Sequence, residues 1–165
     1  MKKSKILDQH DIRHKITRMA CQIAEENYQE SGIVFLGIAP AGYVLANLLC
    51  HEVKQILSCK TTVLKIELDK KKPAENPVLL DASFQPGSSV VILVDDVANT
   101  GKTMYYALKP LLNHTIKKLQ IAVLVDRQHK QFPIAPDYVG LSLSTTLREH
   151  ISVELENDSQ AVYLT

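Results

Sequence analysis

Two adjacent carboxylates stand at the end of the most apolar stretch of the chain. Residues 90–94 read Val-Val-Ile-Leu-Val and are followed at once by Asp95 and Asp96. An uninterrupted apolar run of this length is typical of a strand that is buried on both faces. Open α/β sheets bind their ligands at the carboxyl ends of such strands. Because neighbouring acids repel each other when both are ionised, we expect a cation or a ligand to share this place with them.

The segment that follows the acids carries groups that bind phosphate. It consists of Ala98, Asn99, Thr100, Gly101, Lys102 and Thr103. Gly101 permits close approach of the backbone, and the free N–H groups of a helix predicted over 101–112 favour an anion. The hydroxyls of Thr100 and Thr103 and the ammonium of Lys102 add donors. Acids and phosphate-binding groups one loop apart suit a ribose phosphate, with its hydroxyls on the carboxylates and its 5′-phosphate on the loop.

Two other interpretations of this segment stay open. Residues 101–103 (Gly-Lys-Thr) also end the P-loop pattern of kinases and ATPases, but that pattern needs glycine where this chain has Asp96. A carboxylate there would repel a β-phosphate, so a P-loop is disfavoured. In the second interpretation, Asp95 and Asp96 only terminate a strand, and Thr100 only caps the next helix.

Composition limits the class of protein. The chain has 165 residues, 19 basic against 18 acidic, and a formal net charge of +1, which fits one domain spanning 1–165. This balance is unlike the strongly basic one typical of nucleic-acid-binding proteins. No apolar run reaches the roughly 18–20 residues that span a bilayer, and no cysteine or histidine spacing indicates a tight protein-built metal site. We expect a cytoplasmic protein.

Apolar periodicity predicts the elements that position these groups. Residues 9–28 show the spacing of an amphipathic helix. The apolar run 33–36 predicts a buried strand, and helical spacing resumes at Val44 after a loop. Further strands are predicted at 62–68, 119–125, 138–139, 151–155 and 161–164. Strands that alternate with helices predict an α/β fold with a mainly parallel central sheet flanked by helices. The lysine- and proline-rich stretch 70–77 is predicted to be a mobile loop.

The apolar strand, the two acids and Thr-Gly-x-Thr together resemble the signature by which type I phosphoribosyltransferases bind phosphoribosyl diphosphate (PRPP). The likeness extends over roughly residues 6–164. Val-Asp-Arg-x-His at 125–129 is similar to one subgroup, the pyrimidine operon attenuator proteins that are also uracil phosphoribosyltransferases. The resemblance implies the type I fold with a small hood of short strands, PRPP and uracil as substrates, and UMP as product. It also implies Mg²⁺ as cofactor, a messenger-RNA leader as a further partner, and a homodimer or higher homo-oligomer.

The resemblance also assigns roles to positions of this chain. The acids that hold the ribose hydroxyls, directly or through Mg²⁺-bound water, are Asp95 and Asp96. The phosphate loop is residues 98–103, and the pyrophosphate loop is Ala39, Pro40, Ala41 and Gly42. The base side is Asp126, Arg127, Tyr138 and Val139, with an apolar group near Tyr138 or Val139 against uracil. The flexible loop supplies Lys70, Lys71 and Lys72, and the RNA-facing candidates are His14, Lys15, Arg18 and Arg148.

The pyrophosphate loop departs from the family pattern. Relatives carry Arg or Lys there, whereas residues 39–41 read Ala-Pro-Ala. Losing a preorganised cation at a developing negative charge costs about 10²–10³ in rate, by analogy with an oxyanion donor. The flexible loop departs as well: it is shorter than in relatives and lacks the family's arginine, for which Lys70, Lys71 or Lys72 are candidates for partial compensation, as point charges rather than bidentate forks. Three functions therefore stay open: a uracil phosphoribosyltransferase, a UMP- or PRPP-sensing RNA-binding regulator with weak or no catalysis, and a phosphoribosyltransferase for a purine base.

Overall fold

The protein consists of two β-sheets with helices on both faces of the larger one, as seen in a computed structural model that describes residues 3–144, 149–156 and 159–165. The strands are β1 (Ser4–Leu7), β2 (Gly32–Ile38), β3 (Lys60–Glu67), β4 (Leu79–Leu80), β5 (Val90–Ala98), β6 (Lys118–Arg127), β7 (Tyr138–Leu143), β8 (Ile151–Glu154) and β9 (Ala161–Leu164). The helices are α1 (Gln9–Asn27), α2 (Ala41–Ile56) and α3 (Lys102–Ala107), and a 3₁₀ helix covers Lys109–Asn113.

The larger sheet has the strand order β4-β3-β2-β5-β6-β7. Its neighbours pair in parallel except β4, which runs antiparallel to β3. Consecutive parallel strands need crossover connections; α2 lies in the connection from β2 to β3, and α3 in the connection from β5 to β6. The predicted α/β class with a mainly parallel central sheet is thus confirmed. The carboxyl ends of β2, β5 and β6 lie side by side, so the loops after them share one edge of the sheet.

Two apolar layers cover the faces of this sheet. Along β5, Val90, Ile92 and Val94 belong to the layer under α1 and α2, while Val91 and Leu93 belong to the layer under α3. All five side chains are fully buried, and each such side chain contributes roughly 1.5–3 kcal/mol. The alternation follows from the two-residue period of a strand. It explains why the run 90–94 is apolar at every position.

A smaller antiparallel sheet, which we call the hood, has the order β1-β9-β8. Ser4 pairs with Leu164 and Glu154 pairs with Ala161, so the hood joins the first strand to the last two. The strands β8 and β9 agree with the prediction. β1 was not predicted from the sequence, because four residues with two polar ones give no clear period. The hood lies against the larger sheet through β8 and β5.

Two elements differ from the sequence prediction. β5 continues to Ala98, because Val97 and Ala98 still pair with Val125 and Asp126 of β6. The two acids therefore lie within the strand rather than after it. The helix predicted over 101–112 is α-helical only in α3 and then tightens into the 3₁₀ helix. Among the described residues, no helix combines the length and the apolar character needed to cross a membrane.

Candidate active site

The acid pair lies at the carboxyl end of β5, against the start of α2. The side chain of Asp95 is 2% exposed and that of Asp96 is 18% exposed. Gly42 makes this approach possible: a Cβ there would lie 2.6 Å from the carbonyl oxygen of Val94 and 2.8 Å from the Cα of Asp95. A side chain at position 42 would therefore push α2 away from β5. Glycine at this position allows the pyrophosphate loop to lie close to the acids.

Lys70 lies between the two carboxylates. Its Nζ donates to Asp95 Oδ1 at 2.9 Å and is 3.4 Å from Asp96 Oδ1. Burial, and then the neighbouring Asp96 carboxylate, raise the pKa of Asp95 to about 8, and the Lys70 ammonium opposes this rise. Burial lowers the pKa of Lys70, but the two carboxylates outweigh it and raise that pKa above its ordinary value. The cation expected from the repulsion of two adjacent acids is thus supplied by the chain itself.

Asp69 orders the turn that carries Lys70. Its Oδ1 accepts hydrogen bonds from the backbone N–H groups of Lys71 at 2.9 Å and Lys72 at 3.2 Å, and its Oδ2 accepts from Asn76 Nδ2 at 2.9 Å. Lys71 and Lys72 are exposed, and Lys72 pairs with Glu75 at 2.8 Å. Of the three lysines predicted for this loop, only Lys70 reaches the acid pair.

The phosphate loop, residues 98–103, wraps a small hollow of about 50 Å³. Gly101 has a φ of +83° at the start of α3, a left-handed conformation that glycine adopts without strain. A Cβ there would also lie 3.1 Å from the Cβ of Ile134. The carbonyl oxygen of Thr100 accepts hydrogen bonds from the backbone N–H groups of Gln131 at 2.9 Å and Phe132 at 3.1 Å. The segment after β6 therefore supports the loop from behind.

Lys130 holds the phosphate loop to the end of β6. Its Nζ donates to the carbonyl oxygens of Ala98 at 3.4 Å, Asn99 at 3.3 Å and Arg127 at 2.7 Å, and to the carboxylate of Asp126. The sequence motifs assigned Lys130 no role in the site. The spacing of four residues between Asp126 and Lys130 was the one signal in the sequence for this contact.

A cleft of about 230 Å³ joins these parts. Its lining consists of Lys70, Asp95, Asp96, Val97, Asn99, Thr103, Arg127, His150 and Ile151. Arg127 is 4% exposed and comes from the predicted base side. His150 and Ile151 come from the hood and were missed. No sequence signal pointed to them, because only the placement of the hood brings them to the acid pair, which lies more than fifty positions earlier in the chain.

Tyr138 and Val139 do not line this cleft. Tyr138 is buried under α1, where its hydroxyl donates to Glu26 Oε2 at 2.9 Å and accepts from Asn27 Nδ2 at 3.3 Å. Burial, then the hydrogen bond to Glu26, raise the pKa of this hydroxyl. Val139 packs in the opposite layer, under α3. The structure therefore makes Tyr138 a core residue, which corrects the expectation that it faces uracil.

The pyrophosphate loop, residues 39–42, connects β2 to α2. The Ala39–Pro40 peptide bond is cis, and the N–H of Ala39 donates to the carbonyl oxygen of Ile66 at 2.9 Å. None of its four side chains carries a charge. In this loop, only backbone groups are available to a diphosphate.

The residues predicted to face RNA have mixed surroundings. Arg18 donates to the backbone carbonyls of Val139 at 3.0 Å and Gly140 at 2.7 Å, so its guanidinium is tied to the edge strand β7. His14 is exposed and its ring lies 4.1 Å from that of His10, between centroids. Lys15 is half-buried, and Arg148 lies outside the described residues.

The mainly parallel sheet and the small hood are the architecture that the sequence motifs predicted, and the cleft lies beside them. Comparison with known families gives the class of protein. Residues 2–158 match the family model described as the phosphoribosyl transferase domain. The chain belongs to the phosphoribosyltransferase family. Among curated relatives, it is 38% identical over 162 residues to the bifunctional protein PyrR of Pelotomaculum thermopropionicum, covering 93% of this chain and 90% of that protein. It is 36% identical over 161 residues to the PyrR of Brevibacillus brevis, with the same coverage of 93% and 90%.

These relatives confirm the resemblance that the sequence motifs predicted. Among solved structures, the hypoxanthine phosphoribosyltransferase of Trypanosoma cruzi matches with a TM-score of 0.74 at 18% identity, over 85% of this chain and 81% of that one. A hypoxanthine-guanine phosphoribosyltransferase of Bacillus anthracis matches with a TM-score of 0.70 at 17% identity, over 86% and 82%. At these identities the likeness concerns the fold.

Proposed function

We propose that this protein transfers the phosphoribosyl group of PRPP to uracil and so forms UMP and pyrophosphate. One observation carries the proposal: the acid pair and the phosphate loop lie at the same sheet edge, and both contribute side chains to one cleft of about 230 Å³. The full-length likeness to PyrR proteins supports uracil over a purine base. The hypoxanthine-specific structures resemble this chain in fold, at identities too low to indicate a substrate.

The proposed binding mode follows the chemistry of each part of the site. Asp95 and Asp96 accept hydrogen bonds from the ribose hydroxyls, because carboxylates are strong acceptors for O–H donors. The phosphate loop holds the 5′-phosphate, as loop amides at the start of a helix do. Asp126 and Arg127 lie at the end of β6 on the base side, where Arg127 borders the cleft beside His150 and Ile151 of the hood.

The proposed reaction is a displacement at C1′ of the ribose. A uracil nitrogen forms the new bond to C1′ while the C1′–oxygen bond to pyrophosphate breaks. The transition state resembles an oxocarbenium ion, as in glycoside chemistry. The residues of this chain accelerate the reaction by holding ribose and phosphate in a fixed position and by excluding water from the cleft.

Two adjacent carboxylates that line the cleft fit Mg²⁺, which proteins hold through one or two carboxylates together with substrate phosphates. Asp95 and Asp96 are the residues that would hold it, through water. When bound, Mg²⁺ supplies neutralisation of the charge that develops on the departing pyrophosphate. Within the described residues, no group of three His, Cys, Asp or Glu side chains forms a cage for a metal.

A second function is favoured by one observation, the absence of charged side chains from residues 39–42 beside a complete phosphate loop. A chain of this kind would bind UMP or PRPP, turn PRPP over slowly, and act mainly as a nucleotide-sensing RNA-binding regulator of pyrimidine genes. The bifunctional naming of its relatives supports this second role. An mRNA leader, a homo-oligomer of the single domain 1–165 and a cytoplasmic location belong to this proposal.

The test is to incubate the protein with PRPP, Mg²⁺ and labelled uracil and to measure UMP. We expect product, and we expect Asp95→Asn and Asp96→Asn each to lower the rate by about 10²–10³, the loss typical of a preorganised electrostatic contact. Asp81→Asn, which changes an exposed acid outside the cleft, is the matched control. Absence of UMP together with RNA binding that strengthens with UMP would favour the second function. Preference for hypoxanthine over uracil would contradict both.

A further inference from the structure

The ammonium of Lys70 occupies the place that the proposed function gives to the ribose hydroxyls. It lies 2.9 Å from Asp95 Oδ1 and 3.4 Å from Asp96 Oδ1. The Asp95 side chain is 2% exposed, so few approaches to this carboxylate are open. Asp95 Oδ1 also accepts a hydrogen bond from the backbone N–H of Asp96 at 3.0 Å. A hydroxyl that bridges the Oδ1 atoms of the two acids therefore competes with Lys70 Nζ for the same position.

The turn that carries Lys70 directs this one lysine to the acids. Asp69 fixes the backbone of residues 71 and 72 and the side chain of Asn76, and Pro73 is buried. Lys71 and Lys72 stay at the surface. The Lys70 side chain is 37% exposed, so solvent screens its ion pairs in part and a ligand can displace it. A contact of this kind is strong enough to compete with a ligand and weak enough to break.

We propose that Lys70 is a built-in occupant of the ribose-hydroxyl site, and that its displacement favours ligands that carry a diphosphate over nucleoside monophosphates. This inference rests on the proposed function. A ligand that bridges the Oδ1 atoms of Asp95 and Asp96 displaces Lys70 from them. A diphosphate offers the released ammonium a new anionic partner, in a cleft whose pyrophosphate loop has no charged side chain of its own. UMP carries no diphosphate at C1′. When UMP binds, the ion pairs of Lys70 with the two acids are therefore broken and not replaced.

The consequence is an affinity bias between substrate and product. Lys70 weakens the binding of UMP more than the binding of PRPP, and this bias promotes release of UMP after the reaction. Hydrogen bonds between charged groups are about twice as strong as neutral ones. Removal of the ammonium is therefore expected to tighten UMP binding by about tenfold, which corresponds to about 1.4 kcal/mol.

The experiment compares Lys70→Met with two controls. Lys71→Met removes a neighbouring lysine that does not reach the acids, and Lys70→Arg keeps a cation at position 70. Calorimetry measures the affinities of UMP and of Mg²⁺-PRPP for each protein. We expect Lys70→Met to bind UMP about tenfold more tightly and PRPP no more tightly. Lys71→Met keeps the wild-type ratio of the two affinities, and Lys70→Arg, which retains a cation, still binds UMP more weakly relative to PRPP than Lys70→Met does. UMP binding by Lys70→Met that is equal to or weaker than that of the wild type would overturn the proposal.

A ligand-free measurement separates this inference from the proposed function. Amide hydrogen exchange of residues 69–77 reports whether Lys70 ties this turn to the acids. We expect faster exchange in Lys70→Met than in Lys71→Met. If wild-type protein binds neither UMP nor PRPP, the proposed function fails, while faster exchange in Lys70→Met still supports the occupancy of the acid pair. Equal exchange in the two variants would overturn the occupancy itself.

Discussion

The phosphate loop and the pyrophosphate loop lie at the same edge of the sheet but are constructed by opposite means. Residues 98–103 are held from behind by two carbonyl contacts of Lys130, at Ala98 and Asn99, and by two backbone hydrogen bonds to the carbonyl oxygen of Thr100. Residues 39–42 are pressed against Asp95 through Gly42 and present no charge. The first loop depends on support from a later segment, whereas the second depends only on its own short sequence.

This difference indicates which of two phosphate-binding loops tolerates substitution of its side chains. A loop that binds through backbone amides keeps its chemistry under substitution as long as its support stays in place. A loop that binds through a side-chain cation loses its chemistry with that one residue. Here a cation from another segment, Lys70, lies on the acid pair. This cation belongs to the turn of residues 69–77 and to neither loop.

The largest expected effect concerns the acids between the two loops. Burial and the Asp96 carboxylate raise the pKa of Asp95 above its ordinary value of 3.8 in spite of the Lys70 ammonium, so Asp95 ionises at a higher pH in the folded protein than in the unfolded chain. The stability that this difference contributes is fully present below about pH 4 and is lost as the pH rises through the folded-state pKa of Asp95. We expect the melting temperature to fall by several degrees between pH 5 and pH 8.5, measured by calorimetry.

The Asp95→Asn variant tests this directly, since the amide cannot ionise. Its melting temperature should stay nearly constant over the same range and exceed that of the wild type above pH 8. Asp81→Asn is the control: hydrogen bonds from Ser83 lower the pKa of Asp81, so its contribution changes only as the pH falls below about 4. A wild-type melting temperature that rises from pH 5 to 8.5 would contradict the assignment.

The second effect concerns the support of the phosphate loop. Lys130→Met removes the ammonium that bonds to the carbonyls of Ala98, Asn99 and Arg127 and leaves the Asp126 carboxylate without it. Hydrogen bonds to charged groups contribute about 1.5–3 kcal/mol. We expect urea denaturation to show a loss of about 2 kcal/mol, and UMP binding to weaken by at least tenfold. Lys102→Met, which changes an exposed lysine of the same loop, should leave the stability unchanged.

The smallest expected effect is a gain of activity from a substitution in the pyrophosphate loop. Ala41→Arg places a guanidinium where the pyrophosphate loop has none, and a planar fork suits a diphosphate. We expect kcat/KM for PRPP to rise about tenfold, by partial recovery of an electrostatic contact worth about 10²–10³. Ala41→Gln, of similar length without the charge, is the control. An equal rise in both variants would show that charge is not what the loop lacks.

Local sequence patterns predicted the parts of the site that are contiguous in the chain. β5, the acid pair and the phosphate loop follow one another within fourteen residues, 90–103. The apolar pattern and the residue types of this segment were therefore enough to predict them. The direction of Tyr138 was not predictable, because a shift of one residue in strand register turns a side chain to the other face. The contacts of Lys70, Lys130 and His150 depend on how distant segments pack, and no local pattern records them.

The pairing of β1 with β9 has a mechanical consequence. Ser4 lies opposite Leu164, and the two strands run antiparallel, so a force applied between residues 3 and 165 loads the hydrogen bonds of this ladder one after another. Such loading peels a ladder apart at low force, whereas parallel strands pulled along their length resist in shear. The hood would then yield before the larger sheet. Gentle tension on the chain would separate β1 from β9 and leave the acids and both loops in place.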